Sequence, residues 1–162
     1  MIRPAVKTDA SRIAEILIFT KRTAYRSIFC NDNVSFGEMQ VLPLAMDFLK
    51  NDALLQNFFV YEEHFVQAIM HLNPQPQNNL GEIAELYVDP FFQNQKIGQA
   101  LLSYAESVFI KQHISYIYLW VLEKNTAARH FYEKNGFMPT TCTKPEAGTP
   151  EYIVKYEKFL NC

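Results

Sequence analysis

Hydrophobic positions recur with two different periods along this 162-residue chain. Near the N-terminus they lie three or four residues apart, as at Ile13, Ile16 and Leu17, and this spacing predicts helices. Further along, alternating or continuous apolar runs favour strands, with two more helical segments between them. The expected order is a short strand, two helices and a hairpin, then strand, loop, helix, strand, helix and a closing pair of strands. This order predicts one domain over residues 1–162, an α/β architecture with a mixed sheet.

The expected elements can be bounded from the pattern alone. Asp9 or Ser11 can cap the first helix, which Thr23–Cys30 continues irregularly. A second helical region over Ser35–Lys50 is expected to be interrupted by Pro43, because proline lacks the N–H that a helix interior needs. The predicted strands share apolar, β-prone runs: Ile2–Val6, Phe58–Glu63, His64–Leu72, Glu82–Val88, Tyr116–Leu122, Phe137–Thr141 and Tyr152–Phe159. The remaining predicted segments are a polar loop at Asn73–Asn79, a helix at Gly98–Gln112 and a short helix from Asn125 to Gly136.

Composition narrows the class of protein. Hydrophobic residues make up 49% and charged residues 20%, with a net charge of −2, which is ordinary for a soluble protein and gives no basic field for nucleic acid. No apolar run is long enough for a signal peptide or a membrane span. The odd number of widely spaced cysteines favours reduced thiols, hence a cytoplasmic location. The four histidines lack metal-ligand spacing, so no metal is expected.

One stretch, DPFFQNQKIGQALL, has the form of a turn that leads from a strand into a helix. The first N–H groups of a helix lack internal partners and attract anions, and Gly98 permits close approach of a phosphate. Gln93 and Gln99 add donors, and Lys96 adds a cation. Neither GxxxxGK[ST] nor GxGxxG is present, so the usual nucleotide loops are excluded. By itself this stretch is a weak indication of a phosphate site.

A second stretch, VLEKNTAARHFYEKNGF, makes the first more specific. It carries an N-x-x-A-x-x-x-Y-x-x-x-GF pattern whose members are Asn125, Ala128, Tyr132, Gly136 and Phe137. Together with the V-x-P step at Val88–Pro90 and the Gln93–Gly98 loop, it resembles the GNAT superfamily of acetyl-CoA-dependent N-acetyltransferases. The Q-x-x-K-I-G form of the loop is similar to that of bacterial spermine/spermidine acetyltransferases. The resemblance is firm over about residues 80–140 and looser before them.

The resemblance implies a fold and a cofactor site. The fold is an α+β arrangement in which a central mixed, mostly antiparallel twisted sheet is flanked by helices and its strands splay apart at the CoA site. Acetyl-CoA is the expected co-substrate. Lys96 stands where the family has a glycine, which we expect to be acceptable if its backbone stays helical; whether its amine meets a CoA phosphate or solvent is left open. The residues implied in acetyl-CoA binding are Leu86, Tyr87, Val88, Gln93, Asn94, Gln95, Lys96, Ile97, Gly98, Gln99, Asn125 and Tyr132.

Acetyl transfer to an amine also needs a base and an acid. A free primary amine is mostly protonated at neutral pH, so a general base helps, and Glu85 near the strand end is the candidate. Strand alternation predicts Glu82 and Glu85 on opposite faces. By resemblance, Tyr132 is the general acid that protonates the CoA sulfur, and an N–H near Val88 stabilises the oxyanion. No cysteine has a catalytic arrangement, so direct transfer is preferred.

The acceptor is the least determined part. The reading is a primary amine, either a polyamine or another small amine, with the N-terminal helices and their Tyr25 shaping its site. The alternatives are a protein N-terminal or lysine acetyltransferase, and a non-catalytic acyl-CoA-binding sensor. We expect a small-molecule partner, no nucleic acid and no membrane, with a homodimer left open. Carboxylates available for a polycation are Glu15, Asp32, Glu38, Asp47 and Glu85.

Overall fold

Strands and helices alternate in the computed structural model much as the hydrophobic pattern predicts, and the structure describes residues 1–161. The strands are β1 Ile2–Pro4, β2 Phe58–Glu62, β3 Val66–Gln75, β4 Leu80–Val88, β5 Tyr116–Leu122, β6 Met138–Pro145 and β7 Tyr152–Phe159. The α-helices are α1 Ala10–Phe29, α2 Val41–Lys50, α3 Ile97–Lys111 and α4 Thr126–Lys134.

The strands form one sheet in the order β1-β2-β3-β4-β5-β7-β6. Every neighbouring pair is antiparallel except β4 and β5, which are parallel. The sheet is therefore mixed and mostly antiparallel, and the expected fold is confirmed. A parallel pair needs a crossover connection, which α3 supplies between β4 and β5.

The parallel pair separates after a short contact. β4 and β5 are paired only from Leu80↔Tyr116 to Glu82↔Tyr118. Beyond Glu82 the two strands diverge, while β4 stays paired to β3 as far as Val88. The expectation of splayed strands is confirmed, and the gap between them opens towards the N-terminus of α3.

Helices cover the two faces of the sheet with separate apolar clusters. On the α3 face, Leu101 and Phe109 pack with Met70 and Ile117 of the strands, all fully buried. On the α1 face, Ile13 of α1 packs with β-sheet residues that include Val60 and Ile69. Residues of β3 alternate between these clusters, as the two-residue period of a strand requires.

The N-terminal helices differ from the expectation. α1 continues without the irregularity expected at Thr23–Cys30 and ends at Phe29. Cys30 follows it as the C-cap, in a left-handed conformation. Asp9 stands at the N-cap, but its side chain bonds to Arg3 and to the Val6 N–H instead of capping α1. Pro43 lies in the first turn of α2, where N–H groups are unpaired in any case, so it does not interrupt that helix.

The expected polar loop at Asn73–Asn79 is largely strand and turn. Asn73–Gln75 ends β3, and a 3₁₀ turn at Pro76–Asn78 leads into β4. In the described pairing, β2 accompanies β3 only as far as His71, so Pro74 sits beside an open edge where its missing N–H is tolerated. The expected helical region Ser35–Lys50 is divided into two parts. Asn33–Glu38 forms a π-helical segment that separates α1 from α2, and α2 itself begins at Val41.

A β-bulge in β4 corrects the expected orientation of two glutamates. His71 pairs with Glu85 and Leu72 pairs with Ile83, so Ala84 is an extra residue. Without a bulge, residues three positions apart would point to opposite faces of the sheet. The bulge places two successive residues on one side, so the side chains of Glu82 and Glu85 point to the same face. Both carboxylates consequently point to the α1 face, the prediction of opposite faces being wrong.

Candidate active site

A cavity of about 650 Å³ occupies the gap between β4 and β5. It is bounded by α1, by the N-terminus of α3 and by α4. All residues predicted for the site line it except Gln95, which lies in the loop beside it. Sequence reasoning missed Thr20 and Trp120, which also line the cavity.

The turn after β4 is fastened to α1 through Asp89. Its carboxylate is almost fully buried, accepts a hydrogen bond from the Phe91 N–H at 3.0 Å, and forms an ion pair with Arg12. A buried carboxylate needs such partners, because its desolvation is costly. The Gln93 side-chain amide then donates to the Val88 carbonyl at 3.1 Å and closes the turn.

The backbone of the loop becomes left-handed at two residues before α3. Asn94 and Lys96 both have φ of 63°. The condition set for a side chain at Lys96, that its backbone stays helical, is not met, and a positive φ is the conformation that favours glycine at this place. The first helical bond runs from the Ala100 N–H to the Lys96 carbonyl. The N–H groups of residues 97–99 thus lack helical partners and are available to an anion.

Gly98 packs closely against α4. A Cβ on Gly98 would lie 3.2 Å from the Phe131 ring and 3.7 Å from Val88. The first contact is tighter than ordinary van der Waals distance. The absence of a side chain at Gly98 therefore lets the Phe131 ring of α4 pack directly against α3.

The backbone of β4 alternates between β3 and the gap. The Asp89 N–H bonds to the Gln67 carbonyl of β3. Since backbone groups alternate along an antiparallel pair, those of Tyr87 also face β3, and those of Leu86 and Val88 face the gap. Leu86 and Val88 thus present backbone groups to the cavity, whereas Tyr87 contributes its side chain on the α1 face.

α4 brings Tyr132 to the other wall of the cavity. Asn125 caps this helix, its Oδ1 accepting from the Ala128 N–H at 3.2 Å. The Tyr132 ring packs edge-on against Phe131 and Phe137, with centroids 5.3 and 5.8 Å away. Burial raises the pKa of the Tyr132 phenol, and the nearby Tyr25 and Glu85 raise it further.

Tyr25, Tyr87, Glu85 and Lys21 form a cluster where α1 meets β4. The Tyr25 and Tyr87 hydroxyls are 3.3 Å apart, and Lys21 Nζ lies 3.4 Å from Glu85 Oε1. Burial is the main cause that raises the pKa of Tyr25 to about 12 and that of Tyr87 above its usual value. Sequence reasoning missed Lys21. Its i,i+4 spacing from Tyr25, which puts both on one helix face, was the available signal.

The acidic side chains considered for a polycation do not converge. Glu15 pairs with Arg12 at 2.8 Å, and Asp32 pairs with Arg26 at 2.9 Å. Of the five candidates, Glu85 alone is among the residues described as lining the cavity. Within residues 1–161, no cluster of side chains suits a metal ion, and no helix is both long and apolar enough to cross a membrane.

Comparison with known proteins defines the class. The Acetyltransferase (GNAT) family model matches residues 24–137, most of the chain. The chain belongs to this family, as its two motifs predicted.

Particular relatives are more distant. A spermidine N(1)-acetyltransferase of Thermoplasma acidophilum is 39% identical over 59 residues, which is 36% of this chain and only 37% of that protein. The PaiA N-acetyltransferase of the same organism, solved with coenzyme A, has a TM-score of 0.78 at 22% identity and covers 99% of this chain and 98% of its own. A ribosomal-protein-alanine N-acetyltransferase from Brucella melitensis has a TM-score of 0.73 at 17% identity, with 99% of both chains covered. At such identities the two structures establish the fold.

Proposed function

We propose that the protein transfers an acetyl group from acetyl-CoA directly to the primary amine of a small molecule, with polyamines as the first candidates. The observation that carries the proposal is the convergence at one cavity of the α3 N-terminus, the open backbone of β4, Tyr132 and Glu85. The first two suit a phosphorylated thioester, and the last two suit proton transfer. Family membership supports the same donor.

The residues present fit acetyl-CoA. The free N–H groups of residues 97–99, together with the turn from Gln93 through Asn94, Gln95 and Lys96, suit a pyrophosphate. The backbone groups of Leu86 face the gap and can pair with an amide-bearing arm as a neighbouring strand would, whereas the Val88 carbonyl already accepts from Gln93. Asn125 keeps its cap while its amide borders the cavity.

Two side chains would then handle the protons. Glu85 accepts a proton from the acceptor ammonium, directly or through water, so that the neutral amine forms the new N–C bond. The C–S bond breaks, and Tyr132 gives its proton to the departing thiolate. The surplus proton that the new amide nitrogen still carries then passes, directly or through water, to the Tyr132 phenolate and restores the phenol. The phenol is protonated at neutral pH, and burial, which raises its pKa, keeps it protonated until the thiolate charge develops beside it. The Val88 N–H stabilises the oxyanion that forms between formation of the N–C bond and cleavage of the C–S bond.

Two observations support a small cationic amine as the acceptor: the function of one relative and the negative charge of Glu85. The matched relative is a spermidine acetyltransferase, which favours a small cationic amine. Glu85 is the carboxylate at the cavity, so it suits one ammonium group at the reacting end.

Thiol release from acetyl-CoA tests the proposal. We would measure it with a chromogenic thiol reagent over spermidine, spermine, small aminoglycosides, amino acids and short peptides. Tyr132→Phe should lower kcat by about 10²-fold or more, a much larger effect than on acetyl-CoA affinity, because the ring stays in place and only the hydroxyl is lost. Tyr152→Phe, an exposed tyrosine of β7, is the matched control and should behave as wild type.

The outcomes separate the alternatives. Release that depends on a small amine and collapses in Tyr132→Phe supports the proposal. Release only with peptides would replace it by a protein acetyltransferase. Tight acetyl-CoA binding by calorimetry without any release would replace it by an acyl-CoA sensor, and wild-type turnover in Tyr132→Phe would remove this residue as the acid.

A further inference from the structure

Lys21 is not itself a lining residue of the cavity, but it places a positive charge against two residues that are, Glu85 and Tyr87. Its Nζ lies 3.4 Å from Glu85 Oε1 and 5.7 Å from the centre of the Tyr87 ring. The side chains of Lys21 and Glu85 are 26% and 25% exposed, so the pair is open to solvent on one side. No role in transfer requires this lysine.

The two groups that hold Lys21 are those that would hold an acceptor ammonium. A carboxylate attracts a cation by charge, and an aromatic face attracts it through the ring quadrupole. The Tyr25 hydroxyl, 3.3 Å from that of Tyr87, holds the Tyr87 ring in place beneath the ammonium. The site is consequently built for one alkylammonium group.

Two ammonium groups cannot share this position without strong repulsion, because like charges a few ångströms apart in a partly desolvated site repel. Lys21 must leave when another ammonium binds. Its departure costs little for two reasons: an ion pair at 3.4 Å that is open to solvent on one side contributes modestly, and a lysine stem can carry its charge into solvent.

We propose that Lys21 is an internal occupant of the acceptor's ammonium subsite, and that the acceptor binds by displacing it. The proposal rests on the function proposed above, in that it assigns the acceptor to Glu85 and Tyr87. In the absence of acceptor, Lys21 neutralises Glu85. In its presence, Lys21 competes and sets the acceptor's affinity, and so is a specificity-determining residue.

Binding of a single-cation probe tests this without turnover. Propylammonium would be titrated into protein saturated with CoA, and the chemical shift of its methyl protons followed by NMR. Lys21→Met and Lys21→Gln should both lower its Kd by about two- to fivefold, the range expected for a partly exposed ion pair. Lys21→Arg should not lower it. Lys50→Met, at the exposed C-terminus of α2, is the control and should leave Kd unchanged.

Glu85→Gln completes a double-mutant cycle. If Lys21 acts by occupying Glu85, then Lys21→Met should not tighten binding in the Glu85→Gln protein. An unchanged or higher Kd in both Lys21→Met and Lys21→Gln would overturn the proposal, as would equal tightening with and without Glu85.

Kinetics separates this proposal from the proposed function. In thiol-release assays, Lys21→Met should lower the acceptor KM by the same factor, with kcat and the acetyl-CoA KM unchanged. If the wild-type protein shows no acceptor-dependent thiol release, the proposed function is wrong. The binding cycle would still decide whether Lys21 occupies an ammonium subsite.

Discussion

Replacing Lys96 by glycine should stabilise the protein, contrary to the usual cost of adding a glycine. Lys96 has φ of 63° and ψ of 8°, a left-handed conformation. This conformation costs a residue with a Cβ about 1–2 kcal/mol, and glycine removes that cost. Glycine also loosens the unfolded chain, which costs about 0.4–1 kcal/mol. The net expectation is a gain of about 0.5–1 kcal/mol in the free energy of unfolding.

Urea and thermal unfolding measure this gain. For a chain of this size, the gain corresponds to a rise of about 1–4 °C in Tm. Two variants are matched controls. Lys96→Ala removes the amine but keeps the strained Cβ, so it should not be stabilised. Gln95→Gly alters the preceding residue, which is not among the described residues with positive φ, and should be destabilised.

A stability loss in Lys96→Gly equal to that in Gln95→Gly would refute the reasoning from backbone strain. Equal stabilisation in Lys96→Gly and Lys96→Ala would refute it differently, by tracing the effect to charge. The same variants also decide the open role of the amine. If it contacts a CoA phosphate, both lose acetyl-CoA affinity and the remaining affinity depends less on salt; if it faces solvent, neither does.

Two further predictions concern residues at or next to the cavity. Asp89→Asn should lower the free energy of unfolding by about 1–3 kcal/mol in urea, because Arg12 loses a charged, buried hydrogen-bond partner. Asp32→Asn, in an exposed pair, should change nothing measurable, and equal losses in both would contradict this account. Burial raises the pKa of Tyr25 from 10.0 to about 12, so between these values the unfolded chain has released the proton that the folded protein keeps. Stability should therefore fall as pH rises from 10 to 12, and the urea midpoint of Tyr25→Phe should fall less than that of wild type or of Tyr152→Phe. A parallel fall in all three would exclude this contribution.

Local pattern was enough for most elements and for the two motifs. β5 was expected at Tyr116–Leu122 and is found there, because its apolar, aromatic run has no helical alternative. A short helix was expected to begin at Asn125, and this residue caps α4 by accepting the Ala128 N–H. Both features depend on residues within a few positions of each other, and the motif spacing that indicated the family depends on the same short range.

Tertiary structure decided the acceptor side. The bulge at Ala84 turns Glu82 and Glu85 to one face, and it arises from the register between β4 and β3, which strand alternation alone does not contain. The left-handed conformation of Lys96 could not be predicted from the lysine itself, because only the glycine that the family has at this position indicates it. Lys21 meets Glu85 only after α1 packs on the sheet, across 64 positions of sequence. Sequence by itself determined most of the elements and indicated the proposed donor loop, since these follow from neighbouring residues. Which side chains face one another across the cavity depended on long-range packing.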